Sequence, residues 1–322
     1  MMLETETVLD RRRLRRHVSF WRMAAVVAAL LAVAGLVLSS ETLQSLTQKD
    51  YIARFSITGT ISEDRKQLEL LDKIAEDEKA VALIVFVNSP GGTSTGGEAL
   101  YQALRKVAEK KPVVAQFGTV AASAGYIVGL GTDHIVARGN SITGSIGVIA
   151  QWPEFAGILD KVGVKVNEIR SGELKAWPSP FEPLDAKGTE TMNAMVKDSF
   201  KWFLDLVKER RGIDTASVDG LEKGRIFTGR QALEQKLVDA IGGEDEVRNW
   251  LKEKHKISKD LKVVEKKPEK DSKLSWLGAS SGSVRDLAAE VVTGAADALS
   301  GGEASRLLRL DGLVSVWHPS EN

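Results

Sequence analysis

The sequence predicts an α/β domain, and three observations carry that expectation. Short apolar runs alternate with amphipathic segments from Tyr51 onward; two of these runs, VALIVFV at 81–87 and PVVAQF at 112–117, are apolar almost without interruption; and a glycine-bearing corner follows each. A continuous apolar run of strand length suits a strand covered on both faces, the situation in a mostly parallel sheet with helices on either side.

The elements follow in order. YIARFSI reads as the first strand, and TISEDRKQLELLDKIAEDEKA as a turn and an amphipathic helix with Leu68, Leu71, Ile74 and Ala75 near one face. VALIVFV is the second strand, GGEALYQALRKVAEKK the crossover helix that a parallel neighbour requires, and PVVAQF the third strand. A further unit holds strand-like HIVA at 134–137, SIGVI at 145–149 and VGVKVNEI at 162–169. In TETMNAMVKDSFKWFLDLVKERRG the spacing of Met192, Met195, Val196, Phe200, Phe203, Leu204 and Val207 predicts a long helix packed along one side. GRQALEQKLVDAIGG reads as another helix, stopped by glycine. The folded domain is therefore expected over 51–249. The lysine- and glutamate-rich tract KEKHKISKDLKVVEKKPEKDSK reads as a solvated linker opening a tail over 250–322, in which VRDLAAEVVTGAADALSG suggests a short helix and RLLRLDGLVSVW a terminal apolar element.

The N-terminus has a different character. Residues 1–22 are rich in arginine, and from Met23 to Leu38 no charge interrupts the chain. With Val18, Phe20 and Trp21 extending the apolar surface and Arg22 reaching back toward headgroups, 23–40 is long enough for a transmembrane anchor. Arginines on the N-terminal flank predict a cytoplasmic N-terminus, a single pass through the cytoplasmic (inner) membrane, and a domain on the periplasmic or extracellular side. A cleaved signal peptide is the alternative, although no A-x-A precedes a cut near Ser39. Either outcome exports the domain.

Composition excludes several classes. The 44 basic and 44 acidic side chains cancel, which removes the bulk electrostatic argument for nucleic-acid binding. There is no cysteine, hence no disulfide, thiol nucleophile or thiolate metal site. The four histidines, His17, His134, His255 and His318, show no metal-ligand spacing, so neither metal nor cofactor is expected.

Chemistry is expected at the two corners, because open α/β sheets gather functional groups where strands end. In VNSPGGTSTGG, Pro90 restrains the approach while Gly91 and Gly92 free backbone amides to face a ligand; a plain tight turn is the other reading, and the Walker phosphate pattern is absent. In FGTVAASAGYIVGLG, Ser123 stands among small residues before a helix-compatible run, as either a helix cap or a nucleophile. A histidine base is poorly supplied, since His134 opens a strand and the others lie in the termini. Lysine can serve instead if its surroundings favour the neutral amine, and Lys175 in SGELKAWPSPF has apolar, partly rigid neighbours.

Taken together, VNSPGG, AASAGYIVGLGTDHIVARGNSITGSIGVI and SGELKAWPSPFEP resemble the signal peptide peptidase A family of serine-lysine endopeptidases in its short, single-domain form, over roughly Tyr51 to Asn249. The resemblance implies that Ser123 is the nucleophile, Lys175 the general base and Ser145 the residue that orients the lysine, with the backbone amides of Gly92 and Ser123 as oxyanion donors. It also implies a crotonase/caseinolytic-protease-like superhelix of βαβ units, and a homo-oligomeric ring, of which an octamer is one form, whose active sites can be shared between adjacent subunits. Polypeptide substrates are implied, among them remnant signal peptides and other hydrophobic segments near the membrane. Two departures concern the pocket: Ala124 stands where relatives commonly have glycine and can narrow its floor, and Trp177 can supply a wall. Two rivals remain: a crotonase-like acyl-CoA enzyme, disfavoured because export separates it from coenzyme A, and a catalytically silent membrane scaffold.

Overall fold

The computed structural model describes residues 20–25, 27, 49–268 and 314–316. The chain divides into two compact units, 1–50 and 51–322. In the first, residues 20–25 and 27 are helical, and most of the expected anchor and of the arginine-rich N-terminus lies outside the described residues. Among the described residues no helix is long and apolar enough to cross a membrane.

The second unit is built on an eight-stranded mixed sheet. Strand β1 (Tyr51–Thr58) lies parallel between β2 (Ala80–Ser89) and β9 (Val263–Lys266), and β2 pairs in parallel with β4 (Val113–Ala122). The other edge of β4 is shared: its first half pairs with β5 (His134–Ala137) and its last residues with β6 (Ile142–Gly144). The edges are completed by β7 (Ile226–Thr228), antiparallel to β6, and β8 (Ala240–Ile241), parallel to β5.

The period of two along these strands divides the core into two faces. Phe55, Leu83, Val85, Val113 and Phe117 point to one side. There they meet α1 (Arg65–Glu76), α2 (Ser94–Ala108), α3 (Ala124–Leu130) and the second half of α5 (Ala186–Arg211), while α4 (Ala156–Lys161) buries nothing. Ile52, Ile84, Val114 and Val136 point to the other side, against Val247 and Leu251 of α7 (Glu244–His255). Both faces of VALIVFV are thus covered, which is why the run contains no polar residue; each such side chain stabilises the fold by about 1.5–3 kcal/mol on burial.

Several expectations need correction. The strand expected at 145–149 is only Ile142–Gly144, because Gly144 (φ 84°) and Ser145 (φ 50°) turn the chain out of the sheet. VGVKVNEI forms no strand: Val162, Val164 and Val166 are exposed, and no described segment pairs with it. The helix expected over GRQALEQKLVDAIGG stops as α6 (Gly229–Glu234); Lys236 takes φ 58°, Leu237 and Val238 turn into the core, and Ala240–Ile241 joins β5 instead. The folded unit also runs past residue 249, through the rest of α7 to β9 beside β1. In α5 the side chains that enter the core lie in the C-terminal half, with Phe203 and Val207 fully buried, whereas Met195 is exposed.

Candidate active site

Both glycine corners lie at the C-terminal ends of adjacent parallel strands. At the end of β2 the buried Ser89 hydroxyl donates to the Gly91 carbonyl (3.2 Å) and accepts from the Gly91 N–H (3.1 Å), bending SPGG into the short strand β3 (Gly91–Thr93). Ile61 runs parallel beside it, donating its N–H to the Gly91 carbonyl (2.8 Å) and accepting from the Thr93 N–H (2.9 Å). The approach is so close that a Cβ on Gly92 would stand 1.8 Å from the Ile61 carbonyl oxygen. Only glycine fits there.

At the end of β4, Ser123 caps α3 with φ 56° and ψ −119°, a strained conformation for a residue with a side chain. Its hydroxyl makes no cap hydrogen bond, so the simple helix-cap reading does not account for it. Two contacts hold the turn. The Tyr126 hydroxyl, whose pKa burial pushes well above the ordinary value, donates to the Leu237 carbonyl (2.7 Å). Gly125 lies so close to β2 that a Cβ there would come within 2.9 Å of the Ser89 carbonyl oxygen, which brings the serine turn beside the SPGG corner.

The Ser123 N–H donates to the Gly144 carbonyl (2.9 Å). In this arrangement that proton is engaged by β6, so the oxyanion role expected of the Ser123 amide would require its release. Sequence reasoning missed the adjacent candidate, the first-turn amide of Ala124, which as the first residue of α3 has no carbonyl one turn earlier to receive its N–H. Ala124 itself is fully buried against α2, where an ideal Cβ on Gly97 would lie 3.2 Å from its Cβ.

Ser145 also takes a left-handed conformation, its N–H donating to the Arg225 carbonyl (3.0 Å). Ser123 and Ser145 line the same cavity, of about 410 Å³, whose apolar wall includes Ile146, Val148, Val196 and Phe200 and whose charged side chains are Lys197, Glu222 and Lys223. Neither α5 nor the segment around Glu222 was anticipated as part of a site. Their signal is visible only in three dimensions, since nothing local in sequence marks them.

Lys175 lies elsewhere on the chain. It is exposed, in a turn over 173–176, and does not line the Ser123 cavity. Its own chain therefore does not supply the dry surroundings expected from its apolar neighbours. The loop that carries it is nevertheless built. Trp177 lays its ring against Gly188 of α5, leaving its buried Nε1 without a hydrogen-bond partner, and the Arg170 guanidinium lies 5.9 Å from the ring centroid. Arg170 pairs with Glu168 and Glu182, Lys187 pairs with Glu173, and the Asp185 carboxylate accepts from the Gly188 N–H (2.6 Å). Trp177 thus holds the loop and is not part of the cavity wall. Among the described residues no group of three or more His, Asp or Glu could hold a metal ion.

The chain has matches among known protein families and proteins. The family model for Peptidase family S49 matches residues 105–258, and that for Clp protease matches 45–139. A protein of Synechocystis sp. that carries a protease name is 40% identical over 200 residues, spanning 62% of this chain and 72% of its own. A protein of Enterococcus faecium named for signal peptide peptidase is 32% identical over 256 residues, spanning 75% and 74%. Protease 4 of Haemophilus influenzae is 33% identical over 210 residues, covering 34% of that longer chain. Among solved structures, a membrane-bound stomatin-specific protease overlays with a TM-score of 0.44 at 16% identity, covering 69% of this chain and 100% of that one. Matches of this extent to proteins named as proteases place the chain in peptidase family S49, among the serine proteases of the signal peptide peptidase A family.

Proposed function

We propose that the chain is an endopeptidase in which Ser123 is the nucleophile and Lys175 of a neighbouring copy is the general base. The observation that carries this reading is the pairing of a strained serine on a cavity with a firmly built loop whose exposed lysine does not line that cavity. The surroundings of the loop support it. Ile158, Val162, Ile169, Leu174, Phe181 and Met195 are all exposed, and among the described residues from 49 onward most exposed large apolar side chains fall between 149 and 195. Apolar surface this dense on one arm calls for burial against another copy, as in a closed homo-oligomeric ring. Burial there would also strip water from Lys175 and favour its neutral amine.

In the mechanism, the neutral amine accepts the Ser123 proton as the hydroxyl attacks a peptide carbonyl. The Gly92 N–H and the Ala124 N–H stabilise the oxyanion, and the protonated lysine then donates to the leaving amine. Water repeats the sequence on the acyl-enzyme. Ser145, on the same cavity as Ser123, accepts or donates a hydrogen bond to the incoming lysine and holds it in line. The substrate lies extended along β3 and places an apolar side chain against Ile146, Val148 and Phe200.

The peptidase unit takes in 51–266, and 23–40 anchors it with the site on the outer side of the cytoplasmic membrane. Remnant signal peptides and other apolar or unfolded segments concentrate at that surface. The test is turnover of an unfolded polypeptide and of an apolar signal peptide by the full chain in detergent. Ser123→Ala and Lys175→Ala are each expected to abolish cleavage without changing assembly. Retained cleavage in either variant removes that residue from its role.

A further inference from the structure

The cavity beside Ser123 combines apolar walls with an unbalanced set of charges. Ile146 is fully buried and Phe200 half-buried, whereas the three charged residues that line it, Lys197, Glu222 and Lys223, are exposed. Glu222 is already engaged, its Oε1 accepting a hydrogen bond from the hydroxyl of the fully buried Thr215 (2.7 Å). Neither lysine has a carboxylate partner among the described residues. Two ammonium groups against one carboxylate leave the solvent side of the cavity net positive.

The lysines belong to two separate elements with fixed backbones. Lys197 follows Val196, another lining residue, on α5. Lys223 sits in the turn 220–224, where Leu221 is fully buried, Gly220 and Gly224 both take left-handed angles, and the Lys223 N–H donates to the Gly220 carbonyl (3.0 Å). A lysine placed in this way extends an apolar wall with its stem and sets its charge at the end of that wall. A peptide that fills the cavity with an apolar side chain therefore brings its neighbouring residues within range of both charges. Opposite charge favours such a complex, and like charge rejects it.

We infer that Lys197 and Lys223 form a charge filter on the substrate: residues beside the one that fills the cavity are favoured when they carry a carboxylate and rejected when they carry an ammonium or guanidinium group. This rests on the reading of Ser123 as the nucleophile and of the cavity as its substrate pocket. The substrate class it names is an apolar stretch with an acidic neighbour, and cuts next to clusters of basic residues are disfavoured. An acidic side chain and a free C-terminal carboxylate offer the same chemistry, so the experiment separates them.

The test uses the assembled full chain in detergent and short apolar peptides that differ at one flanking position, Glu, Gln or Lys, each with a free and with an amidated C-terminus. Their kcat/KM values are compared in the wild type, and their affinities in the uncleaving Ser123→Ala background. An exposed charge pair contributes about two- to fivefold, so the two lysines should favour the Glu peptide over the Lys peptide by about tenfold. The ratio should shrink toward one at about 1 M salt, where charges are screened within about 3 Å. Lys197→Glu combined with Lys223→Glu should reverse the order, and Lys197→Met combined with Lys223→Met, which keeps the apolar stems, should erase it. Each ratio is taken within one variant, so a change in overall activity does not enter. A gain that comes with Glu makes the acidic side chain the ligand, and a gain that comes only with the free terminus makes it the terminal carboxylate; either supports the filter. No order among the peptides in the wild type, or an order that survives the double Met substitution, overturns it. If the affinities follow the predicted order but no variant cleaves anything, the peptidase reading fails and the filter stands; cleavage without any order overturns the filter alone.

Discussion

Replacing Gly92 with alanine probes the site at its tightest point. The added Cβ would stand 1.8 Å from the Ile61 carbonyl oxygen, 2.5 Å from its carbon and 2.6 Å from the Ile61 nitrogen. All three atoms are backbone, so no side-chain rotation relieves the clash, and β3 must retreat by more than an ångström. The retreat strains two hydrogen bonds, of 2.8 and 2.9 Å, each contributing about 0.5–1.5 kcal/mol. A stability loss of about 1–3 kcal/mol leaves a domain of ordinary stability, about 5–15 kcal/mol, still folded. Catalysis should suffer far more, because an oxyanion donor moved by that distance no longer meets the developing charge. Removing one such donor typically costs about 10²–10³ in kcat. The assay pairs peptide turnover with urea unfolding of the same preparation. Gly243→Ala, where the added carbon would make only ordinary van der Waals contact with the Arg138 guanidinium, serves as the control and should change neither. A folded Gly92→Ala chain with wild-type turnover would refute the assignment of Gly92 to the oxyanion site.

Two further predictions follow from the structure around the lysine loop and the far face of the sheet. Trp177→Ala frees the Lys175 loop from Gly188 and should lower kcat/KM at least tenfold, while the stability of the sheet domain changes by no more than about 1 kcal/mol, as for a site outside the main core; equal losses in both readouts would mean the tryptophan is simply core. His134 stacks on Trp250 at 4.8 Å, faces Asp239, Arg211, Glu246 and Lys254, and has its pKa lowered, chiefly by burial. A lowered folded-state pKa means that the unfolded chain binds the proton more readily. Stability from this group is then complete above the ordinary histidine pKa of about 6.5 and falls as the pH drops below it, by at most about 1.4 kcal/mol per unit. His134→Phe should flatten that part of the stability profile, measured by urea unfolding between pH 7.5 and 5; an unchanged slope would remove His134 as its cause.

The central sheet was legible because its strands are buried on both faces, which leaves VALIVFV no room for a polar residue. The serine corner was legible for a related reason: small residues clustered around Ser123 are what a tight strand-to-helix turn requires. Other parts depended on partners that a local pattern does not contain. Leu237 and Val238 keep helical spacing with the residues before them, yet the left-handed Lys236 turns them into the core and hands Ala240 to β5. In β9, VVEK carries two charges in four residues and reads as linker, but an edge strand beside β1 needs only its backbone and one apolar face. VGVKVNEI shows the converse, since its alternation is real while its partner is missing from the chain's own described residues. The partner of the Ser123 amide is hidden for the same reason: only the pairing of β6 with β4 reveals that Gly144 takes its proton.

The claim at the centre of the account is that the serine and the lysine of one working site come from different copies. Mixing addresses it directly: Ser123→Ala chains and Lys175→Ala chains, each inactive alone, are dissociated together, allowed to reassemble, and assayed for peptide cleavage. Random assembly of equal amounts in a closed ring should pair an intact serine with an intact lysine at about a quarter of the sites, so turnover should return to roughly that fraction of wild type. A mixed assembly as inactive as its parents, with exchange of subunits confirmed by mass, would contradict the claim.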